Sequence, residues 1–399
     1  MNVPAKYTLP IIVIAQFLCT TLWFAGNAVM PDLMQSWGLE NSDLGSITSS
    51  VQLGFIVGTL SYAFFTISDR YNPSAVFFIS ALFGSVFNVL IVIDGISFSM
   101  LLTFRFFTGF FLAGIYPVGM KIASDYFARG LGKALSLLVG ALVLGTAFPH
   151  LISGFLSAFS WKSVLYATST LAVVGGSMIF LFVKPGPYRR PGKKGDFRNI
   201  VKAYGNSNFK AASLGYFGHM WELYTFWAFV PLMLLTYGKA QDVDINVPFL
   251  AFLIIGMGSL ACIIGGFLSI RFGEKKLIVV ALAASGLCCL FSPLMFHAPT
   301  YLFIGFLIFW GWAVIIDSPL LSALVAFHVD PEIRGSALTI TNSIGFIITI
   351  LSIQLISTVL NYIPLEYVWV ILAIGPALGL YALSKEDKNP NEKQIKIDL

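Results

Sequence analysis

Apolar runs of about twenty residues recur along this chain, and only short polar stretches separate them. One run of that length spans the hydrocarbon core of a bilayer as a helix. Inside lipid the backbone has no water to bond, so each segment must satisfy its own N–H and C=O groups, and a lone apolar run does that as a helix. Twelve such runs are legible, at 8–30, 44–67, 75–93, 97–120, 131–157, 163–183, 210–236, 247–270, 277–296, 299–327, 336–360 and 365–384. The composition agrees. With 57% hydrophobic and 11% charged residues, the chain has more apolar surface than a water-soluble domain can hide, since such domains carry about 45–50% and about 25%. The expected fold class is therefore all-α and integral to a membrane, with twelve transmembrane helices. The first run follows Lys6, as a signal peptide would follow a basic residue. It is too long for one, and Gln16, Asn27 and Pro31 form no cleavage signature, so it reads as an uncleaved first helix.

Charge placement gives an orientation. Lys and Arg concentrate on the cytoplasmic side of membrane helices. With the N-terminus inside, the inner segments hold Lys6, Arg70, Lys121, Arg129, Lys133, a central basic cluster, Arg271, Lys275, Lys276, Arg334 and four lysines of the tail. The outer loops hold only Lys162 and Lys239. Both termini are expected in the cytoplasm, with the protein in an inner (cytoplasmic) membrane. The segment 184–209 (KPGPYRRPGKKGDFRNIVKAYGNSNF) is the one break in composition. It reads as a basic cytoplasmic linker, with a short interfacial helix at 196–204, that meets anionic lipid headgroups. It divides the chain into a six-helix half at 1–183 and another at 210–385, followed by a tail at 386–399. The halves read as weak repeats: Asp69-Arg70 corresponds to Arg271-Phe272-Gly273, and Arg129-Gly130 to Arg334-Gly335.

Ionisable residues inside the apolar runs are costly, so they mark function by default. Three runs carry them. GHMWELYTFW (Gly218–Trp227) sets His219 and Glu222 three residues apart, hence on one helical face, beside Trp221 and Tyr224. LLTFRFFTGFF carries Arg105, and WAVIIDSPLL carries Asp317. Glu222 lies about twelve residues into its run, roughly 18 Å deep at about 1.5 Å per residue, near the midplane. A carboxyl group shielded from water can bind and release protons near neutral pH, and His219 one turn back is the expected partner. Arg105 lies roughly 12 Å from the outer end of its run and keeps its charge wherever it sits. It must then face an anionic partner, an anionic substrate or water. Asp317 precedes Ser318-Pro319, where the ladder is interrupted and freed carbonyls can form a polar notch. Pro231 is expected to kink the outer end of the seventh run. Asn27 and Gln52 are candidate cavity residues, with Gln16, Asn88 and His150 as weaker ones. At the cytoplasmic rim, Asp69, Arg70, Asp125, Arg129, Arg271 and Arg334 can form salt bridges that break as the halves move.

These loop and helix signatures resemble the major facilitator superfamily of secondary transporters, over essentially the whole chain. The family's loop between helices 2 and 3 reads G-x-L-x-D-R-x-G-R. Here FTISDRYNP (Phe65–Pro73) keeps Asp69 and Arg70, and GFLSIRFG (Gly266–Gly273) keeps Gly266, Leu268, Arg271 and Gly273. The helix 4 motif R-F-x-x-G matches Arg105, Phe106 and Gly109. The segment Gly140–Gly154 has Pro149 but lacks the Gly-Pro pair of family antiporters. The segments GYFGHMWELY, IDSPLLSALVA and RGSALT are similar to bacterial members placed near nitrate/nitrite and cyanate permeases. The resemblance implies two pseudo-symmetric six-helix bundles and alternating access about a site between them.

The functional expectation is a proton-coupled secondary transporter of a small organic solute, working as a monomer. Glu222 would carry the proton, His219 would modulate it, and Arg105 would serve as coupling or anion partner. An alternative is an anion uniporter or exchanger with Arg105 as the anion site; a more remote one is a non-transporting membrane sensor. No enzyme constellation, P-loop or nucleic-acid patch is visible. His219 and Glu222 supply only two ligands, so no metal is expected, and no other cofactor is implied. The four cysteines (Cys19, Cys262, Cys288 and Cys289) all lie in apolar runs and read as packing.

Overall fold

The computed structural model describes residues 5–127, 131–189, 203–329 and 333–385, and among these the regular structure is helical throughout. The first half comprises α1 (Ala5–Thr20), α2 (Ala25–Ala28), α3 (Met30–Trp37), α4 (Asn41–Phe64), α5 (Ile67–Arg70), α6 (Pro73–Leu90), α7 (Phe98–Leu112), α8 (Tyr116–Tyr126), α9 (Leu131–Phe155) and α10 (Lys162–Phe182). The second comprises α11 (Ser207–Gln241), α12 (Val247–Gly256), α13 (Gly258–Phe272), α14 (Glu274–Met295), α15 (Thr300–Ala313), α16 (Ser318–Phe327), α17 (Arg334–Val359), α18 (Leu365–Val368), a 3-10 turn at Trp369–Ala373, and α19 (Ile374–Ser384). Ten segments among the described residues are long and apolar enough to cross a membrane. Two further rods complete the twelve crossings expected from the apolar runs: α1 with its continuation α2, and the 35-residue α11. The interfacial helix expected at 196–204 falls mostly outside the described residues.

Several crossings are broken, and the breaks follow local chemistry. The fourth crossing stops at Leu112 and restarts at Tyr116 with Pro117 in its first turn. The tenth stops at Ala313 and restarts at Ser318 with Pro319 in its first turn. Proline lacks the N–H that an interior turn needs but suits a first turn, where that N–H has no partner anyway. Matching breaks in crossings four and ten express the pseudo-repeat more clearly than the loop signatures do. In the seventh crossing the proline does not end the helix: α11 continues through Pro231 from Ser207 to Gln241. At about 1.5 Å per residue it is about 52 Å long, well beyond a hydrocarbon core of about 30 Å.

Close packing inside each half depends on glycine. A Cβ at Gly54 would strike the Phe106 carbonyl, and one at Gly109 would strike the Val51 carbonyl, so α4 and α7 touch backbone to backbone. In the second half, Gly218 and Gly375 each lie against the other's carbonyl, which seats α11 on α19. Lipid gives two apolar helices no hydrophobic reason to associate, so small residues that allow close approach supply the contact energy. The halves meet along α4 with α17, where Gln354 donates to Ser49 Oγ at 2.9 Å, and along α9 with α12 and α13, where Gly140 faces Ser259.

Candidate functional site

Two faces of α11 build the site. Residues three or four apart share a helical face, so His219 and Glu222 lie on one side, while Met220, Tyr224 and Trp227 lie on another.

The first face looks into the second half. Glu222 is fully buried. Its Oε1 accepts from the Trp310 indole at 2.6 Å and from the Cys289 thiol at 3.3 Å. Its Oε2 accepts from Ser285 Oγ at 2.9 Å. Ser285 and Cys289 stand one turn apart on α14, and Trp310 comes from α15. His219 Nδ1 lies 2.9 Å from Asp317 Oδ1, at ion-pair distance but off the line of a hydrogen bond, and both residues are buried. His219 is therefore the partner of Asp317 and not, as expected, of Glu222. The i, i+3 spacing gives the two a common face, but Glu222 reaches toward α14 and α15 while His219 reaches the break in the tenth crossing. Asp317 stands at the N-cap of α16 without capping it by its side chain. Only its carbonyl joins the helix, accepting from Leu321 N at 2.8 Å.

The second face meets the first half through aromatic rings. Tyr224 stacks on Trp23 at 5.8 Å between centroids and lies 5.2 Å from both Phe346 and Trp227. Phe55 closes the group, 4.7 Å from Trp23 and 4.8 Å from Phe346. Phe24 meets Trp227 edge-on at 6.5 Å. Trp23, Phe24 and Phe55 belong to the first half and the other rings to the second, so the cluster bridges the two. The indole N–H groups of Trp23 and Trp227 are buried and have no partner among the described residues. Trp221 is not part of this cluster, contrary to its expected place. It packs toward the 3-10 turn and donates to Ile371 O at 3.4 Å.

Arg105 is fully buried, and its partners among the described residues are neutral oxygens. The first crossing leaves its helix between Thr20 and Ala25, which frees carbonyls there. Arg105 donates to Leu22 O at 3.2 Å, to Trp23 O, and to Asn88 Oδ1 at 3.4 Å. A guanidinium offers five donors and no acceptor, so a broken turn of backbone suits it. Asn88 is held in turn by Thr168 and Ser169, to whose hydroxyls it donates at 3.1 and 3.0 Å. Arg105 and Glu222 do not touch each other. Both are sealed, each in its own half, and a chain of contacts joins them: Arg105 to Trp23, Trp23 to Tyr224, and Tyr224 through α11 to Glu222.

Asn27 donates to Thr48 Oγ1 at 2.7 Å, and its Oδ1 has no partner. Neither amide atom of Gln52 or Gln16 has one among the described residues, nor does His150 Nε2. At the rim, Lys121 Nζ lies 2.7 Å from Asp69 and 3.7 Å from Asp125. Arg189, at the start of the linker, donates to the carbonyls of Asp69 and Tyr71 at 3.0 and 2.8 Å. Arg70 and Arg271 lie over the rings of Tyr71 and Phe272, and Arg334 is exposed. None of these three meets a carboxylate among the described residues, and Arg129 lies outside them. The rim pairing thus runs through Lys121, because its flexible stem, four residues before Asp125 on α8, reaches both acids. The sequence reading missed Ser285, Cys289, Trp310, Trp23, Phe55 and Phe346. The one available signal was Ser285 and Cys289, small polar groups four apart in an otherwise apolar run.

Fold and site define an integral membrane protein of two six-helix halves, with buried polar groups on one face of its seventh crossing. The chain belongs to the Major Facilitator Superfamily, whose sequence profile matches residues 12–353 and again 212–397. That family is one of transporters, not enzymes. The chain is 28% identical over 162 residues to the 4-hydroxybenzoate transporter PcaK of Pseudomonas aeruginosa, covering 39% of this chain and 35% of that one. It is 28% identical over 167 residues to PcaK of Acinetobacter baylyi, covering 40% and 35%. It is 25% identical over 147 residues to the putative metabolite transport protein YyaJ of Bacillus subtilis, covering 35% and 32%. The chain thus spans about a third of the length of the curated relatives it matches. Among solved structures, an inward-facing, unoccupied bacterial homologue of the human lysosomal transporter Spinster superposes with a TM-score of 0.75 at 15% identity, over 97% of this chain and 99% of that one. The nucleoside transporter NupG superposes with a TM-score of 0.75 at 15% identity, over 96% and 100%. These two likenesses describe the fold.

Proposed function

We propose that this protein is a proton-coupled secondary transporter of small aromatic carboxylates, operating by alternating access between its two halves. The observation that carries the reading is the division of labour on α11. One face holds a buried carboxyl group able to take and lose a proton. The opposite face holds aromatic rings that close the gap between the halves. A planar ring that enters between Trp23, Tyr224 and Phe346 replaces ring–ring contacts with its own, and the free indole N–H groups of Trp23 and Trp227 can donate to its polar edge. Part of the chain resembles 4-hydroxybenzoate transporters, which favours the same substrate class. A change of charge at Glu222 alters what α14 and α15 must satisfy, and the rigid α11 carries that change to the aromatic interface.

Arg105 supports the site from behind by holding the Trp23 backbone. The anion-uniporter alternative would need Arg105 to turn from the three oxygens that its terminal nitrogens meet, since only its Nε–H has no partner among the described residues.

The test is uptake into proteoliposomes of labelled 4-hydroxybenzoate and of aliphatic carboxylates, with and without an imposed pH gradient. Glu222→Gln is expected to abolish accumulation driven by the gradient while one-for-one exchange persists. Full gradient-driven accumulation in that variant overturns Glu222 as the carrier.

A further inference from the structure

The donors around Glu222 are not equivalent, and their difference assigns the proton to one oxygen. Oε1 faces the Trp310 indole at 2.6 Å and the Cys289 thiol at 3.3 Å. An indole N–H can only donate, so a proton on Oε1 would meet another hydrogen. Among the described residues, Oε2 has one hydrogen-bond partner, the Ser285 hydroxyl, at 2.9 Å. A hydroxyl both donates and accepts. Ser285 Oγ also lies 3.3 Å from the Leu282 carbonyl one turn back on α14. It therefore has two acceptors within reach and can choose between them.

We propose that Glu222 is protonated on Oε2 and that Ser285 is the positioning residue which makes both charge states of Glu222 tolerable. This rests on the reading of Glu222 as the proton carrier. In the charged state, Ser285 donates to Oε2. When a hydronium ion delivers a proton, one of its O–H bonds breaks, water is left behind, and an O–H bond forms at Oε2. The Ser285 hydrogen then turns about the Cβ–Oγ bond to the Leu282 carbonyl, and Oγ accepts from the new O–H. No covalent bond of the protein breaks, no heavy atom of the protein has to move, and no buried hydrogen-bonding atom of the carboxyl group is left unpaired in either state. That last condition matters because an orphaned buried polar group costs about 1–3 kcal/mol. A site that orphaned a group in one state would be locked in the other.

The groups that face Glu222 come from three neighbouring elements. Cys288 and Cys289 lie on α14 and Trp310 on α15, and Asp317 stands at the start of α16. His219, on α11 itself, is paired with Asp317. None of these neighbours is a lysine or arginine. The switch is thus made by a neutral rotor and does not depend on a fixed positive charge.

The test uses infrared difference spectra of the purified full-length protein between acidic and alkaline pH, together with proteoliposome uptake. The carbonyl band of the protonated carboxyl group is assigned by its absence in Glu222→Gln. Ser285→Ala removes the rotor, whereas Ser285→Thr keeps a hydroxyl at the same place. In Ser285→Ala the band is expected to move toward that of a carboxyl group whose O–H has no acceptor, while its carbonyl oxygen keeps the Trp310 indole. Gradient-driven uptake should fall about tenfold, as for the loss of one hydrogen bond to a charged group, while exchange continues. Ser285→Thr should restore the band position and most of the uptake. If Ser285→Ala leaves both the band and the pH profile of uptake unmoved while Glu222→Gln is uncoupled, the role of Ser285 is overturned and the carrier stands. If Glu222→Gln retains full gradient-driven uptake, both fall.

Discussion

Arg105 shows how a single charged side chain can be kept inside lipid by neutral oxygens, with no carboxylate against it among the described residues. Its guanidinium is spent on the carbonyls of Leu22 and Trp23 and on Asn88, so the charge is shared among fixed dipoles. The same contacts keep the first crossing open between Thr20 and Ala25. Lysine carries the same charge but is a compact group that cannot span two carbonyls and an amide at once. Arg105→Lys is expected to leave at least one of these acceptors unpaired and to destabilise the protein by about 1–3 kcal/mol, read as a lower melting temperature in detergent. An unchanged melting temperature would show that the break holds without it. From sequence, Arg105 was recognisable as a buried charge. Its acceptors were not, because backbone carbonyls are invisible until a helix is known to break beside them.

The helices are held by contacts that differ between lipid-facing and buried surfaces, and glycine marks the buried ones. Gly54 with Gly109, and Gly218 with Gly375, sit where two backbones touch. A side chain there must push the helices apart. Gly54→Val and Gly218→Val are each expected to cost about 1–3 kcal/mol, the usual penalty of overpacking. Gly305→Val serves as the control, since a Cβ at Gly305 meets nothing within 4 Å; its effect should stay within about 0.5 kcal/mol. Equal melting temperatures for all three variants would remove the distinction. One of the places where helices stop was legible: Pro319 marks the break in crossing ten, whereas the matching restart at Pro117 in crossing four falls inside one continuous apolar run of the sequence. Pro231 shows the limit of that logic. α11 continues through it because proline removes only one link of the ladder, and the remaining turns are held on both sides by packing.

At the scale of the whole protein, the two halves meet at the aromatic cluster and along three helix pairs, α4 with α17 and α9 with α12 and α13. Gln354 to Ser49 joins α17 to α4 across that boundary. If the halves rock during transport, this contact must open. The pair Ser49→Cys with Gln354→Cys is expected to cross-link under mild oxidation and to stop uptake, with a reductant restoring it. Undiminished uptake by fully cross-linked protein would mean that this boundary stays closed throughout the cycle. The linker makes its own contribution: Arg189 is strapped to the carbonyls of Asp69 and Tyr71, so the start of the linker moves with the first half.

The number of crossings, the solvent they need and the presence of costly polar groups at Glu222, His219, Asp317 and Arg105 were all written in the sequence. Each follows from a local property: the length of an apolar run, or one ionisable residue inside it. Which polar group meets which was decided only by packing. The three-residue spacing put His219 and Glu222 on one face, but their partners stand on α14, α15 and α16, at sequence separations of sixty to a hundred residues. The aromatic cluster has the same origin, since Trp23, Tyr224 and Phe346 become neighbours only when two six-helix halves close on each other. Chain spacing specifies a direction around a helix axis; what lies in that direction depends on how all twelve helices are arranged.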